Sequence, residues 1–488
     1  MIIKVSQKQV ISFIAQFIVF ILSLFLFCNA TYVIPSAILF VASILLQFTW
    51  TFQSLNKNVY LFSPILLTIY NIFFYVVISG LYYFSKFNVI LFFKVPTQDI
   101  DFLTNSTLMY FIYILCILLP FIIFCIFNIR PQLKIDFFKQ NFDIKKLYYY
   151  LLFSQIILVI LLCLLFIFTG YNLFNVLFNL LDFRYEYTHG IPKYIYTIFY
   201  SILYLNLIIV LKLMLINKIK KIKKLHFLFF TNILFFLFWA VISGARAPFL
   251  TLFLFFLYIY TLKPKLKFNF VKMFTVLTIS IVVITFMAYY HAYRTITSSA
   301  VDVSNIIKNT NIIESSFERI DGFSNSIKYL NKIEIEKGSI WNYTEFNFLK
   351  QIFYQINTII PRSIFPDKGD LTHTILTRKV YPNIAAEGKF QMIFGGFANA
   401  YYTGGIIFII LDSLLFGLLI AFMQSNFSKY SKYDLFSVLY LFLFIEFIIY
   451  YFSVGHLNSH NTPILIFKSI LTIYILNHLV KKENKNER

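Results

Sequence analysis

The chain has 488 residues, of which 59% are hydrophobic and 13% are charged, and its mean hydropathy is +0.76. A water-soluble fold cannot bury so much apolar surface, so the composition excludes a soluble globular protein and predicts a bilayer as the solvent. The net charge of +21 would suit nucleic acid. However, the Lys and Arg residues cluster beside the ends of apolar segments, where they orient a membrane protein and contact anionic headgroups. We expect a lipid bilayer as a partner, and no nucleic acid.

Apolar segments of membrane-spanning length follow one another along most of the chain. Twelve of them can cross about 30 Å of hydrocarbon at about 1.5 Å per residue. They predict an all-α polytopic membrane protein with about 12 transmembrane helices. The predicted spans are 9–28, 32–50, 59–83, 108–128, 147–169, 194–212, 225–243, 246–262, 270–290, 394–423, 433–454 and 461–480.

The distribution of basic residues predicts the orientation. With the N-terminus in the cytoplasm, the inner segments hold 24 of the 42 Lys and Arg residues, and the short outer loops hold 5. This asymmetry is the positive-inside pattern, so both termini are expected in the cytoplasm.

One long polar stretch interrupts the spans. The predicted organisation is therefore transmembrane helices 1–9 in residues 1–290, a large external loop in 291–391, and helices 10–12 with a cytoplasmic tail in 392–488. The loop carries 12 basic and 10 acidic residues and includes a helix-like piece at 311–332, so we expect it to fold over the outer face. Polar residues concentrated on one face are where chemistry is expected.

Three charges lie within predicted spans, where they are costly and need a partner or a wet cavity. Glu446 and Lys468 lie at similar depth on consecutive spans, so an ion pair is predicted, with either a structural role or a catalytic or substrate role. Asp412 either caps a polar neighbour or lines a cavity.

The acidic and cysteine residues give no metal pattern. Asp99 and Asp101 have the spacing of paired carboxylates in metal-dependent glycosyltransferases, but chance explains two residues better. The four cysteines lie in apolar segments without ligand spacing. No metal and no cofactor are expected.

Outward-facing arginines are the strongest candidates for binding an anion. Arg246 lies in a Gly- and Pro-containing corner between two spans, Arg294 opens the long loop, and Arg362 lies between Pro361 and Pro366. A fixed guanidinium donates a fork of hydrogen bonds to phosphate. The alternative for each is an interfacial anchor that reaches to headgroups.

A small-residue stripe follows the loop, with Gly396, Ala400 and Gly404 at intervals of four. Such a stripe favours close helix packing. Asn399 and Tyr401, in the same segment, are the alternative candidates for a glycan-binding groove.

These motifs together resemble a known family. Ser243-Gly244-Ala245-Arg246, then Pro361-Arg362-Ser363-Ile364-Phe365-Pro366-Asp367-Lys368, then the Gly395–Gly405 segment occur in the order seen in the Wzy-type O-antigen and capsule polymerases. The many spans and the large external loop before the last of them are also similar. The resemblance covers the architecture of most of the chain, but only about 30 residues of motif.

The resemblance implies a metal-independent, lipid-linked glycosyltransferase of GT-C-like fold in the bacterial cytoplasmic (inner) membrane. Its substrates would be oligosaccharide repeat units on undecaprenyl pyrophosphate, polymerised at the outer face into the O-antigen of lipopolysaccharide or into capsule. A chain-length regulator as a further partner is left open.

The resemblance and the sidedness assign candidate roles by chemistry. Cations would stabilise the pyrophosphate leaving group, and a base would assist the acceptor hydroxyl. Candidates for the first role are Arg246, Arg294, Arg362, Lys368 and Arg378, and candidates for the catalytic base are His373, Asp367 and Asp370, followed by Glu387.

Two other functions remain open. An O-antigen ligase would use the same donor and a similar basic loop. A lipid-linked oligosaccharide flippase or other transporter would favour short loops and matching halves, neither of which is evident here.

Overall fold

The computed structural model describes residues 7–55, 63–85, 99–129, 144–178, 190–215, 223–242, 322–343, 345–357, 372–382 and 394–430, with shorter pieces at 183, 186–187, 448, 451–452, 474–475 and 478. Within these ranges the secondary structure is helical and includes no β-strand; a lone β-bridge joins Ala30 and Ser85. The described part of the chain is therefore all-α, as predicted.

Nine helices precede the loop in the described ranges. They are α1 (Gln7–Cys28), α2 (Val33–Leu55), α3 (Pro64–Ile72), α4 (Ser79–Phe84), α5 (Ile100–Ile126), α6 (Ile144–Thr169), α7 (Leu173–Phe178), α8 (Gly190–Leu215) and α9 (Lys223–Ile242). A π-helical segment, Phe73–Ile78, joins α3 to α4 without a break.

Among the described residues, five helices are long and apolar enough to cross a membrane: Val33–Gln53, Pro64–Phe84, Ile100–Ile126, Tyr148–Thr169 and Gly395–Phe427. The chain is thus a multi-pass membrane protein. The count of 12 spans stays a prediction, because the predicted spans 246–262, 270–290, 433–454 and 461–480 lie wholly or largely outside the described ranges.

Polar contacts join neighbouring helices inside the bundle. The side chain of Gln155 on α6 donates to Thr231 Oγ1 on α9 at 2.7 Å, and Asn206 on α8 donates to Asn232 on α9 at 3.0 Å. Such bonds hold helices together where lipid offers no hydrophobic driving force.

The predicted loop contains three helices in its described part: α10 (Gly322–Lys337), α11 (Phe348–Asn357) and α12 (Thr372–Val380). A short 3-10 turn, Ile340–Asn342, follows α10. The helix-like piece predicted at 311–332 is confirmed from Gly322 onward, and its earlier half lies outside the described ranges.

The last long helix, α13 (Gly395–Tyr430), is broken at Gly404 and Gly405. Gly405 has φ +62° and ψ −150°, a conformation that only glycine adopts readily. Tyr451 shows how sharp the break is, because it contacts both sides of it. Its carbonyl oxygen lies against Gly396, and its ring stacks on Phe416 at 3.6 Å between centroids. Since 20 residues of straight helix would separate Gly396 from Phe416 by about 30 Å, α13 must fold back at the two glycines.

We call residues 395–403 the short arm and residues 406–430 the long arm of α13. The span predicted at 394–423 is thus not one straight crossing. The break was not predicted, because hydropathy registers apolar side chains and not backbone dihedral angles.

Candidate functional site

The long arm by itself is sufficient to cross the bilayer. Residues 406–427 form about 33 Å of helix at about 1.5 Å per residue, against about 30 Å of hydrocarbon. Its apolar side chains at regular helical spacing, Ile407, Leu411 and Leu415, are 70%, 50% and 63% exposed and form a lipid-facing stripe. The break at Gly404 and Gly405 therefore lies at one membrane boundary.

The short arm and α10 begin next to each other inside the bundle. A Cβ on Gly322, the first residue of α10, would lie 3.3 Å from the Cα of Gly395. The next residue of α10, Phe323, packs against the buried rings of Tyr83 and Tyr110 on α4 and α5. The short arm and α10, a helix of the predicted loop, thus both start between membrane helices, each with the positive end of its dipole in the interior.

The segment before α11 caps the short arm where it ends. The backbone N–H of Asn347 donates to Thr403 O at 2.8 Å, and its side-chain amide donates to Tyr402 O at 3.1 Å. The Thr403 hydroxyl donates to Gln351 Oε1 at 2.7 Å. These bonds satisfy carbonyl groups that the break removes from the helical ladder, which lipid could not do.

Buried tyrosines fill the space between α10, the capping segment and the short arm. The rings of Tyr343 and Tyr401 lie 4.9 Å apart, and that of Tyr329 lies 6.1 Å from Tyr401. The Tyr401 hydroxyl donates to Ile340 O at 2.6 Å. Tyr401 therefore joins the loop region to the short arm.

Asn399, the other groove candidate, lies in the same buried layer. Asn399 and Tyr401 are both 0% exposed, and the Asn399 amide donates to Gly395 O at 2.7 Å. The structure places the two residues in the packed interior beneath the loop helices, and their contact with a glycan stays a prediction.

A basic cluster lies on the outer side of these helices, formed by Lys328, Lys332, Arg378 and Lys379. Lys332 Nζ donates to the carbonyl oxygen of Lys379 at 2.7 Å, which joins α10 to the end of α12. Lys328 lies 5.5 Å from the Tyr381 ring centroid and Lys379 lies 5.7 Å from that of Tyr402. Arg378 is exposed in the last turn of α12, where the helix dipole favours a cation.

Carboxylates border this cluster, and Glu336 on α10 forms an ion pair with Lys332 at 3.8 Å. Glu345 lies 3.5 Å from Lys337 Nζ and accepts a hydrogen bond from the Tyr343 hydroxyl at 3.3 Å. Burial alone would raise the pKa of Glu345, but the positive charges of Lys379 and Lys337 and the Tyr343 hydroxyl bring that pKa below its usual value. Glu345 is therefore anionic at neutral pH and offsets part of the positive charge of Lys379 and Lys337.

The acidic residues singled out in the sequence have local roles where they are described. Asp99 caps α5, its carboxylate accepting from the Asp101 N–H at 3.1 Å. Asp412, on the long arm, is 5% exposed and faces the Tyr451 hydroxyl. Of the two roles predicted for Asp412, this contact fits the capping of a polar neighbour. The predicted pair of Glu446 and Lys468 lies outside the described ranges.

The described ranges include only part of the predicted site. Arg378 is exposed within the basic cluster, and the backbone of His373 lies in the first turn of α12. Lys328 and Lys332 were not predicted, although their spacing of four along α10 was a signal for a shared helical face. The other predicted site residues lie outside the described ranges: Arg246, Arg294, Arg362, Asp367, Lys368, Asp370 and Glu387.

Comparison of the chain with models of protein families, with curated proteins and with solved structures gives no significant match. Among the described residues, no group of three or more His, Cys, Asp or Glu side chains is arranged to hold a metal ion.

Proposed function

We propose that the protein is a polymerase of lipid-linked oligosaccharide repeat units, acting at the outer face of the bacterial cytoplasmic membrane. The observation that carries the proposal is the basic cluster, which α10 and α12 hold directly above a helix that breaks at the membrane boundary. A polyprenyl diphosphate has its charged group at that boundary and its chain in the bilayer. The basic cluster matches the diphosphate, and the lipid-facing surface of the long arm matches the polyprenyl chain.

In the proposed reaction, a hydroxyl of the acceptor repeat unit attacks the anomeric carbon of the donor glycan. The bond between that carbon and the diphosphate oxygen breaks, and polyprenyl diphosphate leaves with the bonding electrons. Arg378 would stabilise the charge that develops on the diphosphate, together with the lysines around it. The acceptor proton passes to a base, for which His373 is the first candidate on α12.

Deleting the gene tests the reaction class in cells. For a Gram-negative host, we expect lipid A core that carries a single repeat unit, seen as one short band on a gel. Loss of all glycan from the core, with polymer still on the carrier, would indicate a ligase. Accumulation of carrier-linked units on the cytoplasmic side would indicate a transporter.

Complementing the deletion with variants tests the basic cluster. Arg378→Ala should reduce polymer roughly 10- to 100-fold, since a hydrogen bond to a charged group contributes about 1.5–3 kcal/mol. The matched control is Lys350→Ala, which removes an equally exposed positive charge from α11. Similar ladders from both variants, at equal protein level, would remove Arg378 from the site.

A transporter is the second candidate, and one observation favours it. Broken membrane helices and helix ends inside the bundle are typical of transporters as well as of enzymes, and α13 has this form. The position of carrier-linked units in the deletion strain separates the two functions.

A further inference from the structure

The segment from Phe346 to Phe353, which includes the start of α11, has two unlike faces. Asn347 and Gln351, four residues apart, are 6% exposed and bond to the end of the short arm. Phe346, Leu349 and Phe353 are 64%, 60% and 64% exposed. A helix of a water-exposed loop would carry polar groups on its outer face, so this face needs another environment.

The exposed apolar face continues into the lipid-facing surface of the long arm. A Cβ on Gly404 would lie 3.3 Å from the ring of Phe346, and the ring of Phe348 lies 5.4 Å from that of Phe408. Ile407, directly before Phe408, is 70% exposed at the top of the lipid-facing stripe.

We propose that α11 is an interfacial helix, and that Leu349 and Phe353 on it and Phe346 just before it insert among the acyl chains at the membrane boundary. An amphipathic helix in this position buries its apolar side at the border between headgroups and acyl chains. Lys350, exposed at the edge of this face, has the length to reach lipid phosphates. Part of the predicted external loop is thus a membrane-bound element.

This position explains why Asn347 and Gln351 face inward. The break leaves carbonyl groups of Tyr402 and Thr403 at the depth where acyl chains begin, and unsatisfied carbonyls there are costly. The inner face of the segment supplies their hydrogen bonds, and the outer face covers them with apolar side chains. The segment therefore seals the broken helix against lipid.

Spin labelling tests the inference without relying on the proposed function. The four native cysteines are replaced, and single cysteines are introduced at Leu349 and Phe353 for a nitroxide label in phosphatidylethanolamine and phosphatidylglycerol vesicles. Leu415→Cys, from the lipid-facing stripe, gives the lipid reference. Glu336→Cys, whose native side chain is 44% exposed on α10, gives the aqueous reference.

The ratio of collisions with oxygen to collisions with a water-soluble nickel chelate is the readout. At Leu349 and Phe353 we expect a ratio several-fold above that of Glu336→Cys and below that of Leu415→Cys, which lies nearer the bilayer centre. A ratio equal to the aqueous reference would overturn the inference. Low collision rates with both reagents would also overturn it, because another protein surface, such as a second copy, would then cover the face.

The unaltered protein provides a second measurement in case the cysteine-free variant does not fold. A lipid with a diazirine in its acyl chain is photolysed in the same vesicles, and the adducts are mapped by mass spectrometry. Adducts on residues 346–353 are expected. Their absence, with adducts present on residues 407–415, would overturn the inference.

Discussion

Gly405 is the residue on which the shape of α13 depends most directly. Its φ of +62° favours glycine, and a Cβ there would lie 3.0 Å from the carbonyl oxygen of Tyr343. Gly405→Ala should therefore lose about 1–3 kcal/mol through backbone strain, with crowding in addition. The measurement is the apparent melting temperature in detergent at one fixed scan rate.

Gly338→Ala is the matched control for Gly405. Gly338 also has a positive φ, +75°, but a Cβ there would meet nothing within 4 Å. The control should show the smaller shift, from strain alone. Equal shifts for the two variants would mean that the contact between Gly405 and the Tyr343 carbonyl contributes nothing.

Glu345 gives a prediction about pH. Its pKa is lower in the folded protein than its usual value of 4.5, so its stabilising contribution is complete above that value and is lost as the pH falls below it. Glu345→Gln should lower the apparent melting temperature slightly at neutral pH, since a solvent-exposed pair contributes at most about 1 kcal/mol. The difference between variant and parent should disappear as the solution becomes more acidic than pH 4.5. A difference that persisted in acid would show that the carboxylate is not its source.

At the scale of elements, the short arm approaches the backbone of Tyr451 closely because Gly396 has no side chain. A Cβ on Gly396 would overlap the backbone carbonyl of Tyr451, whereas a Cβ on Gly404 would lie 3.2 Å from Phe408 Cβ and 3.3 Å from the ring of Phe346. Side chains can shift by a few tenths of an ångström more easily than a backbone carbonyl can. Gly396→Ala should therefore lower the apparent melting temperature and the yield of folded protein more than Gly404→Ala does. The reverse order would contradict the described packing of the short arm.

The sequence predicted several of these elements. The packing role predicted for the small-residue stripe is confirmed at two positions. Gly396 lies against the backbone of Tyr451, and Ala400 is 3% exposed. The helix-like piece predicted in the long loop is confirmed from Gly322 onward by α10. The short connection after the first span is confirmed as well, because α2 begins at Val33. In each case a local pattern was sufficient, since spacing and hydropathy depend on neighbours in sequence.

The parts that were not predicted depend on contacts between distant residues. The reversal at Gly404 and Gly405 requires Asn347 to bind the freed carbonyls, and α10 begins inside the bundle because Phe323 packs against Tyr83 and Tyr110. Hydropathy also classed 291–391 as one polar loop, and an average over that stretch hides the exposed apolar side chains of Leu349 and Phe353. The candidate site was only partly predictable for the same reason, since Lys332 enters it through the backbone of Lys379.

For the whole molecule, the described parts fit one arrangement around the membrane boundary. The long arm crosses the bilayer, the short arm and α10 emerge from the bundle, and α12 places Lys379 beside Tyr402, near the end of the short arm. Under the proposed function, this arrangement brings the basic cluster to the depth of a lipid headgroup. Multi-pass character follows from the structure, whereas the orientation toward the bacterial exterior is predicted from the distribution of Lys and Arg.

Reconstitution with a defined substrate tests the central proposal most directly. The purified protein is placed in phospholipid vesicles with an undecaprenyl-pyrophosphate-linked oligosaccharide and no other protein. We predict a ladder of glycans that increase by one repeat unit per step, with one undecaprenyl pyrophosphate released for each bond formed, and a marked loss of both with Arg378→Ala. Active protein that moves the lipid-linked oligosaccharide across the vesicle membrane without lengthening it would contradict the proposal.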